Sequence, residues 1–268
     1  MIPSNPIKIA RPLENDSLSE ILIEILIPFK DNYKSVSDIL LNLQNIKNIN
    51  FVVTLIDDNS DNVSFGENLK KLPGINVIRL NENRGFGFCI NEAVKVSRNS
   101  IFVVMHSDVF NIETNSIRNL VMALIKGKSE NIALVSGVFD NPLPKECSFL
   151  KFENPANLDL EIISNSNDFV PFIFAAFSKN AFAKAGGFPN YNYVLYEDKL
   201  LCKKLMAFGY KIAYCPKAFC RHKGGETIKK LISKDKKILE LIKNNKIAFQ
   251  QDSKMLDEFL EKNRNEST

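Results

Sequence analysis

The first hundred residues alternate between short apolar runs and more polar segments. The apolar runs are rich in β-branched and aromatic residues and predict strands at residues 21–28, 51–56, 75–80 and 101–105. The segments between them predict helices at residues 35–46, 66–72 and 88–97, the clearest being 35–46 with apolar residues three or four positions apart. Strands that alternate with helices indicate a parallel sheet with right-handed crossovers.

The second half of the chain is less regular. It predicts strands at residues 132–139, 169–177 and 210–214, and helices at residues 116–125, 179–185, 197–208 and 227–242. Polar stretches predict loops at residues 141–167 and 216–225, and the chain from about residue 250 predicts a charged helix. The 227–242 helix is amphipathic, because lysines oppose an apolar face of Ile228, Leu231, Ile232, Ile238, Leu239 and Ile242.

The fourth strand leads directly into a polar triplet, His106-Ser107-Asp108. Its five apolar residues indicate a strand that is buried on both faces. In open α/β sheets, ligands gather at the carboxyl ends of the strands. A carboxylate there can hold a divalent cation, which in turn can hold a diphosphate. The alternative is a turn in which Asp108 only caps the next segment.

Charge is distributed unevenly, although 35 basic and 31 acidic residues give a net charge of only +4. Residues 199–246 contain fourteen Lys or Arg against three Asp or Glu. Such a surface suits an anionic partner, whether a nucleotide, an acidic glycan, a membrane surface or nucleic acid. A solvated lysine-rich face is the alternative. The apolar content of 45% is sufficient for a sizeable core.

The five cysteines are odd in number and none has C-x-x-C spacing, which favours free thiols in a reducing compartment. Residues 1–20 have no apolar core of the signal-peptide type, and no run approaches the length of a membrane span. We therefore expect a cytoplasmic protein without a transmembrane segment. Peripheral contact at the inner face of the membrane is compatible with the basic segment.

Six stretches occur in an order that resembles the family 2 glycosyltransferases with the GT-A fold. They are ILIPFKDN, LIDDNSDN, NENRGFGFCINEA, VVMHSDV, AGGFPNYNYVLYEDKLLCKKLMAFGYKIAYCPKAFCRH and GGET. Together they cover roughly residues 21–227, and residues 186–222 are similar to the bacterial rhamnosyltransferase-like branch. The resemblance implies a single Rossmann-like α/β domain with a mostly parallel central sheet flanked by helices, followed by a C-terminal amphipathic helical segment.

The resemblance also implies a domain organisation. Residues 1–20 would be a polar lead-in, and residues 21–227 the glycosyltransferase domain. Within that domain, residues 21–110 would bind the nucleotide and residues 111–227 would supply the acceptor and catalytic half. Residues 228–268 would form basic amphipathic helices.

The nucleotide half carries the residues that the resemblance assigns to the donor. Asp58 would accept a hydrogen bond from the imide N–H of uracil or thymine, because a carboxylate is only an acceptor. Pro28 would lie under the base, and Gly85 would let the backbone approach the nucleotide. Arg84 or Asn91 would contact phosphates or ribose. The alternatives are an ordinary turn and a helix cap.

The family's metal motif is altered in this chain. Asp108 matches its last acid, whereas His106 replaces its first acid. His222 resembles the histidine that completes the metal or diphosphate site, and a loop histidine bound to backbone is its alternative. Asp108 and His222 would hold Mn²⁺ or Mg²⁺, and His106, a poorer ligand for Mg²⁺, would suit Mn²⁺ or contact the ribose or sugar instead. Ser107 would lie beside the donor.

The pair Glu197-Asp198 opens a predicted helix, where carboxylates are also favoured by the helix dipole. By resemblance, Asp198 would be the general base that deprotonates an acceptor hydroxyl, with Glu197 beside it. A single displacement of this kind inverts the anomeric centre.

The predicted function is an inverting, metal-dependent transfer of sugar from a UDP- or dTDP-sugar to a surface-glycan or lipid-linked acceptor. One alternative is a glycosyltransferase that acts on modified nucleic acid, because the lysines of residues 199–246 could follow phosphates. A second is a degenerate GT-A-like binding protein, favoured by His106 and opposed by Glu197-Asp198. A nucleotidyltransferase would normally need a glycine-rich phosphate loop after the first strand, where Pro28-Phe29-Lys30-Asp31 stands.

Overall fold

The structure is a computed structural model that describes residues 21–140, 160–163, 169–191, 196–223 and 237–265. Its first half is a parallel sheet built from β1 (Leu22–Phe29), β2 (Asn50–Asp57), β3 (Ile75–Arg79) and β4 (Ile101–Met105). β1 lies between β2 and β4, and β3 pairs with β2, all in parallel. The predicted parallel sheet of the first half is confirmed.

The sheet continues into the second half with mixed strand directions. The strands there are β5 (Val109–Phe110), β6 (Ile132–Phe139), β7 (Glu161–Ile163), β8 (Phe174–Ser178) and β9 (Lys211–His222). β8 runs antiparallel between β4 and β6, and β9 pairs in parallel with β6. The strand order is β3-β2-β1-β4-β8-β6-β9-β5, with β7 added at β9.

Seven α-helices accompany the described strands. They are α1 (Tyr33–Leu43), α2 (Val63–Leu69), α3 (Phe86–Val96), α4 (Ser116–Lys126), α5 (Lys179–Lys184), α6 (Glu197–Ala207) and α7 (Lys237–Asn265). α1 forms because Val36, Ile39, Leu40 and Leu43 make one apolar stripe, and all four are fully buried. Burial of such stripes against the apolar sheet produces one continuous core.

Two predictions in the second half are wrong because of proline. The predicted loop from residue 216 is strand: β9 passes through Pro216 and pairs again at Phe219 and Cys220. The register with β6 shifts between Ser136 and Val138, so the proline lies in an irregularity where a missing N–H is tolerated. The predicted strand 169–177 begins only at Phe174, after Pro171.

The first strand was predicted to end at Pro28, but β1 continues one residue further, to Phe29. Pairing of β1 with β4 stops at Leu26, so the proline lies beyond the stretch that has neighbours on both sides. Within the predicted loop 141–167, β7 is a short strand that pairs antiparallel with β9, and residues 141–159 and 164–167 lie outside the described residues.

The C-terminal region is one long described helix where two were predicted, since α7 runs from Lys237 to Asn265. Residues 224–236, which include Ile228, Leu231 and Ile232 of the predicted apolar face, lie outside the described residues, as does the lead-in 1–20. Of the others, Ile238 is buried, whereas Leu239 is 45% exposed. Among the described helices, none has both the length and the apolar composition that crossing a membrane requires.

Candidate active site

The loops that follow β1, β2 and β4 meet at one edge of the sheet. Asn32, after β1, donates a side-chain hydrogen bond of 3.3 Å to Ser107 Oγ, after β4. The backbone N–H of Asp31 donates to Ser60 Oγ, after β2, at 3.0 Å. These two bonds join the three loops, and Ser107 takes part as a hydrogen-bond acceptor.

Asp58 fastens the glycine-containing loop after β3 to the end of β2. Its two carboxylate oxygens accept hydrogen bonds of 2.8 Å from the backbone N–H groups of Arg84 and Gly85. Gly85 has a φ of 86°, a conformation that glycine adopts without strain. Burial raises the pKa of Asp58, and these N–H groups oppose that shift. The thiol of Cys89 is a third hydrogen-bond partner of this carboxylate, so about one of its four lone-pair sites remains for a ligand.

Arg79 supports the loop that carries Asp58, and this role was not predicted from the sequence. It stands opposite Asp57 in the β2–β3 register, and its Nη1 lies 2.5 Å from Asp57 Oδ2. Its Nη2 donates to the carbonyl of Ser60 at 2.8 Å. The ion pair fixes the loop that carries Asp58. A basic residue ending the strand next to an acid-rich loop is the signal that could have revealed it.

The side chains of Arg84 and Asn91 are engaged within the fold. Arg84 pairs with Glu82 at 2.7 Å and lies over the ring of Phe88 at 4.3 Å. Asn91 donates to the carbonyl of Phe188 and accepts from its N–H, both at 3.0 Å. Asn91 thus joins α3 to the chain before α6, and a donor contact for either side chain stays a prediction.

His106, Asp108 and His222 form a compact cluster, as the predicted metal site requires. One potential ligand atom from each residue lies within 4.8 Å of the other two. His222 Nε2 is 3.0 Å from Asp108 Oδ1, and the two imidazole rings are 5.5 Å apart. The short strand β5 makes this contact possible, because Val109 pairs with His222 at the end of β9.

The protonation states in this cluster suit metal binding. Desolvation lowers the pKa of His106 to about 4, with a further contribution from His222, so one ring nitrogen of the neutral imidazole is available as a ligand. Burial opposes ionisation of Asp108, but the hydrogen bond from His222 and the electrostatic influence of both imidazole rings outweigh it and lower the pKa of Asp108. Two nitrogen donors and one carboxylate fit Mn²⁺ better than Mg²⁺.

Aromatic rings pack against the cluster of His106, Asp108 and His222. They were not predicted from the sequence. Phe86 meets the ring of His106 edge to face at 4.9 Å and the ring of Phe188 at 5.6 Å. The backbone N–H of His106 donates to the carbonyl of Ile173 at 2.9 Å. The Gly-Phe pairs at 85–86 and 187–188 were the available signal, since each places an aromatic ring beside a residue of positive φ.

Glu197 and Asp198 begin α6. Asp198 Oδ1 accepts a hydrogen bond of 2.8 Å from the backbone N–H of Lys199. Desolvation raises the pKa of Asp198 to about 6, although that N–H and the Lys199 charge act in the opposite direction. A carboxylate with this pKa is suited to take up a proton near neutral pH. Glu197 is buried beside it.

Some of the basic residues in the segment 199–246 form ion pairs with other parts of the chain. Lys203 Nζ contacts Asp257 Oδ2 at 2.6 Å, and Arg221 Nε lies 3.2 Å from Asp140 Oδ2. On α7, Lys243 and Lys246 are exposed. Contact of this segment with a membrane or with nucleic acid stays a prediction. Four cysteines, Cys89, Cys202, Cys215 and Cys220, are free and buried, and Cys147 lies outside the described residues.

Comparison with known proteins gives sequence relatives over the same region. The profile of glycosyl transferase family 2 matches residues 24–184, which is more than half of the chain. The O-antigen chain rhamnosyltransferase RfbN of Salmonella typhimurium is 26% identical over 179 residues, covering 63% of this chain and 55% of the relative. WbaN of Salmonella anatum, with the same description, is 30% identical over 146 residues, covering 49% and 44%. The chain spans about half the length of these relatives.

Solved structures share the fold at lower sequence identity. The mannosyltransferase PcManGT of Pyrobaculum calidifontis, in complex with GDP-Man and Mn²⁺, has a TM-score of 0.56 at 17% identity and covers 76% of this chain and 58% of its own. GalNAc-T7 with UDP, GalNAc and Mn²⁺ has a TM-score of 0.57 at 12% identity, with 75% and 44% covered. TarS of S. aureus has a TM-score of 0.58 at 15% identity, with 79% and 63% covered. The predicted α/β fold class is confirmed.

Proposed function

This chain belongs to glycosyl transferase family 2, and we propose that it moves a sugar from a UDP- or dTDP-sugar to an acceptor hydroxyl with inversion. The observation that carries the proposal is the His106, Asp108 and His222 cluster at the carboxyl edge of the sheet. Ser107 bonds to the loop after β1 at the same edge. This is the edge at which open α/β sheets receive ligands.

The nucleotide half, residues 21–110, would hold the donor. Asp58 is buried, and the lone pair that its three protein partners leave free would accept the imide N–H of uracil or thymine. The Arg84 and Gly85 amides that bind Asp58 would fix its orientation for that contact. Pro28 and Ser107 would line the same site. Residues 111–227 would shape the acceptor side, and residues 228–268 would follow as a C-terminal helical region.

His106, Asp108 and His222 would hold Mn²⁺ or Mg²⁺, and their donor atoms fit such an ion. A bound cation would neutralise the charge that develops on the leaving diphosphate. The chain's own part is to keep Asp108 ionised and the imidazole of His106 neutral. The lowered pKa values of Asp108 and His106 support that part.

Asp198 would act as the general base, with Glu197 as its neighbour. The acceptor hydroxyl would give its proton to Asp198 while its oxygen forms a bond to the anomeric carbon. The bond from that carbon to the diphosphate oxygen would break in the same step, and its electron pair would leave with the nucleotide. Attack from the opposite face inverts the anomeric centre.

The proposed class of acceptor is inferred from the descriptions of the two curated relatives. Both curated relatives are described as O-antigen chain rhamnosyltransferases, which supports a surface-glycan or lipid-linked acceptor here. A cytoplasmic location with peripheral membrane contact belongs to the same proposal and rests on cysteine usage and on the basic residues 199–246. Transfer to modified nucleic acid is the second candidate, favoured by the same basic segment.

We expect the rate of transfer to follow the ionisation of Asp198. The base must be deprotonated, so kcat/KM should rise with pH, be half-maximal near pH 6 and approach its plateau about one pH unit higher, because desolvation raises the pKa of Asp198 to about 6. The measurement is a pH profile of kcat/KM at saturating Mn²⁺. The residual rate of Asp198→Asn should lose this acid limb. A limb that survives in the variant would assign it to another group.

Calorimetry with UDP tests the metal and the nucleotide together. With two imidazoles among the three donors, Mn²⁺ should support UDP binding at least about tenfold more strongly than Mg²⁺. CDP is the matched control, because cytosine has an unprotonated ring nitrogen at the position where uracil has the imide N–H that Asp58 would accept. Equal affinities for UDP and CDP, or equal support by both metals, would contradict the proposed donor site.

A further inference from the structure

Helix α7 lies against α6 and against the chain that leads into it. The ring of Phe249 stacks on the ring of Tyr196 at 5.4 Å between centroids, with 25° between the planes. The hydroxyl of Tyr191 donates to Asp252 Oδ2 at 2.7 Å. Tyr196 immediately precedes Glu197 and Asp198, so α7 contacts the chain directly before the proposed catalytic pair.

The same face of α7 also contacts the middle of α6. Lys203 Nζ donates to Ser253 Oγ at 2.5 Å and to Asp257 Oδ2 at 2.6 Å. Residues 249, 252, 253 and 257 recur at the spacing of one helix face. These contacts therefore fix α7 relative to α6 and the chain before it over about two helical turns.

Tyr196 needs such support because of its backbone. Its φ of 74° and ψ of −12° place a non-glycine aromatic residue in the left-handed region directly before α6. This backbone conformation is strained for a residue other than glycine and persists only where its surroundings hold it. The Phe249 ring is a contact that holds it, and the direction in which α6 begins depends on this residue.

Tyr191 is connected to the catalytic pair as well. Burial raises the pKa of Tyr191 well above its ordinary value, and the charges of Asp252 and Glu197 raise it further. The phenol therefore acts as a neutral donor. Its hydrogen bond goes to Asp252 on α7.

We infer that α7 is a positioning element for the proposed base, in which Phe249 and Asp252 hold Tyr196 and Tyr191 so that α6 presents Asp198 correctly. This inference rests on the proposed function for its kinetic test. The two residues concerned, Phe249 and Asp252, lie outside the stretch 24–184 that the family profile matches. Phe249 and Asp252 act through the tyrosines that they contact.

The test compares two identical substitutions on one helix. Phe249→Ala removes the stack, whereas Phe259→Ala removes a ring that is 55% exposed. Phe249→Ala should lower kcat by about ten- to 100-fold, since displacement of a catalytic group by about 1 Å costs about this much. The KM for the donor and the affinity for UDP should both stay within about twofold of wild type. Phe249→Tyr, which keeps an aromatic ring, should retain the wild-type kcat. Phe259→Ala should behave as wild type.

A second variant and a second readout keep the inference testable if Phe249→Ala folds poorly. Tyr191→Phe deletes only the hydroxyl that binds Asp252 and should lower kcat in the same manner. Amide hydrogen exchange in the first turn of α6 should be faster in Phe249→Ala and Tyr191→Phe than in Phe259→Ala.

Unchanged kcat and unchanged exchange in both test variants would overturn the positioning role. Absence of sugar transfer by the wild-type protein would refute the proposed function instead. In that case the exchange measurement alone would decide whether α7 holds the start of α6.

Discussion

Replacing Asp198 with asparagine is expected to lower sugar transfer by about 10²–10⁴-fold, the usual cost of losing a general base. Asparagine keeps the size of the side chain and can still accept the hydrogen bond from the Lys199 N–H, so the start of α6 should be preserved. UDP binding in the presence of Mn²⁺ should be nearly unchanged, because the proposed donor site is built from the first half of the chain. The measurement is the initial rate of product formation, with calorimetry for UDP.

Glu197→Gln is the matched control for this prediction. Glu197 is the neighbouring acid at the same helix start and is assigned no proton transfer, so its variant should retain more activity than Asp198→Asn. Transfer by Asp198→Asn within about threefold of wild type would remove Asp198 from the mechanism. A larger loss in Glu197→Gln than in Asp198→Asn would exchange the two roles.

Asp108→Ala is expected to abolish Mn²⁺-dependent UDP binding, whereas His106→Ala should weaken it by about tenfold. Asp108 is the one carboxylate in the cluster, and a divalent ion needs that charge more than it needs a second imidazole. His222 Nε2, which lies 3.0 Å from Asp108, would then lose its acidic partner. Calorimetry with UDP and Mn²⁺ measures both variants.

Glu113→Ala is a suitable control, because it removes a carboxylate outside the cluster and should leave UDP affinity unchanged. Loss of metal-dependent binding in His106→Ala together with its retention in Asp108→Ala would reverse the assignment. In that case the imidazole would be the principal ligand.

The first half of the fold was predictable because its signals are local. Strands buried on both faces have continuous apolar runs, and β2 and β4 end where polar triplets begin. Parallel strands also carry the loops at their carboxyl ends to one edge, so the approach of Asn32 to Ser107 follows from topology.

The second half was less predictable because its contacts are distant in sequence. Pro216 indicates a loop when it is considered alone, yet a register shift against β6 lets β9 continue to His222. That continuation brings His222 to Asp108. The sequence suggested this neighbour by resemblance, and the path of the chain to it is visible only in the sheet pairing.

Side chains that serve packing were the hardest to assign. Asn91 follows a glycine loop, as a phosphate ligand would, but its amide satisfies both backbone groups of Phe188. Arg79 and Phe249 have partners that are distant in sequence. These contacts depend on tertiary packing, which local spacing does not encode. Periodicity likewise placed Leu239 on the apolar face, although it is 45% exposed.

The most direct test of the central claim is nucleotide release from sugar nucleotides. A panel of UDP- and dTDP-sugars would be incubated with the wild-type protein, with and without Mn²⁺, and free UDP or dTDP would be quantified. We predict release from at least one donor that requires Mn²⁺, is lost in Asp108→Ala and persists in Phe259→Ala. Release from no donor above the buffer rate, or equal release after the metal is removed by chelation, would contradict a metal-dependent glycosyltransferase.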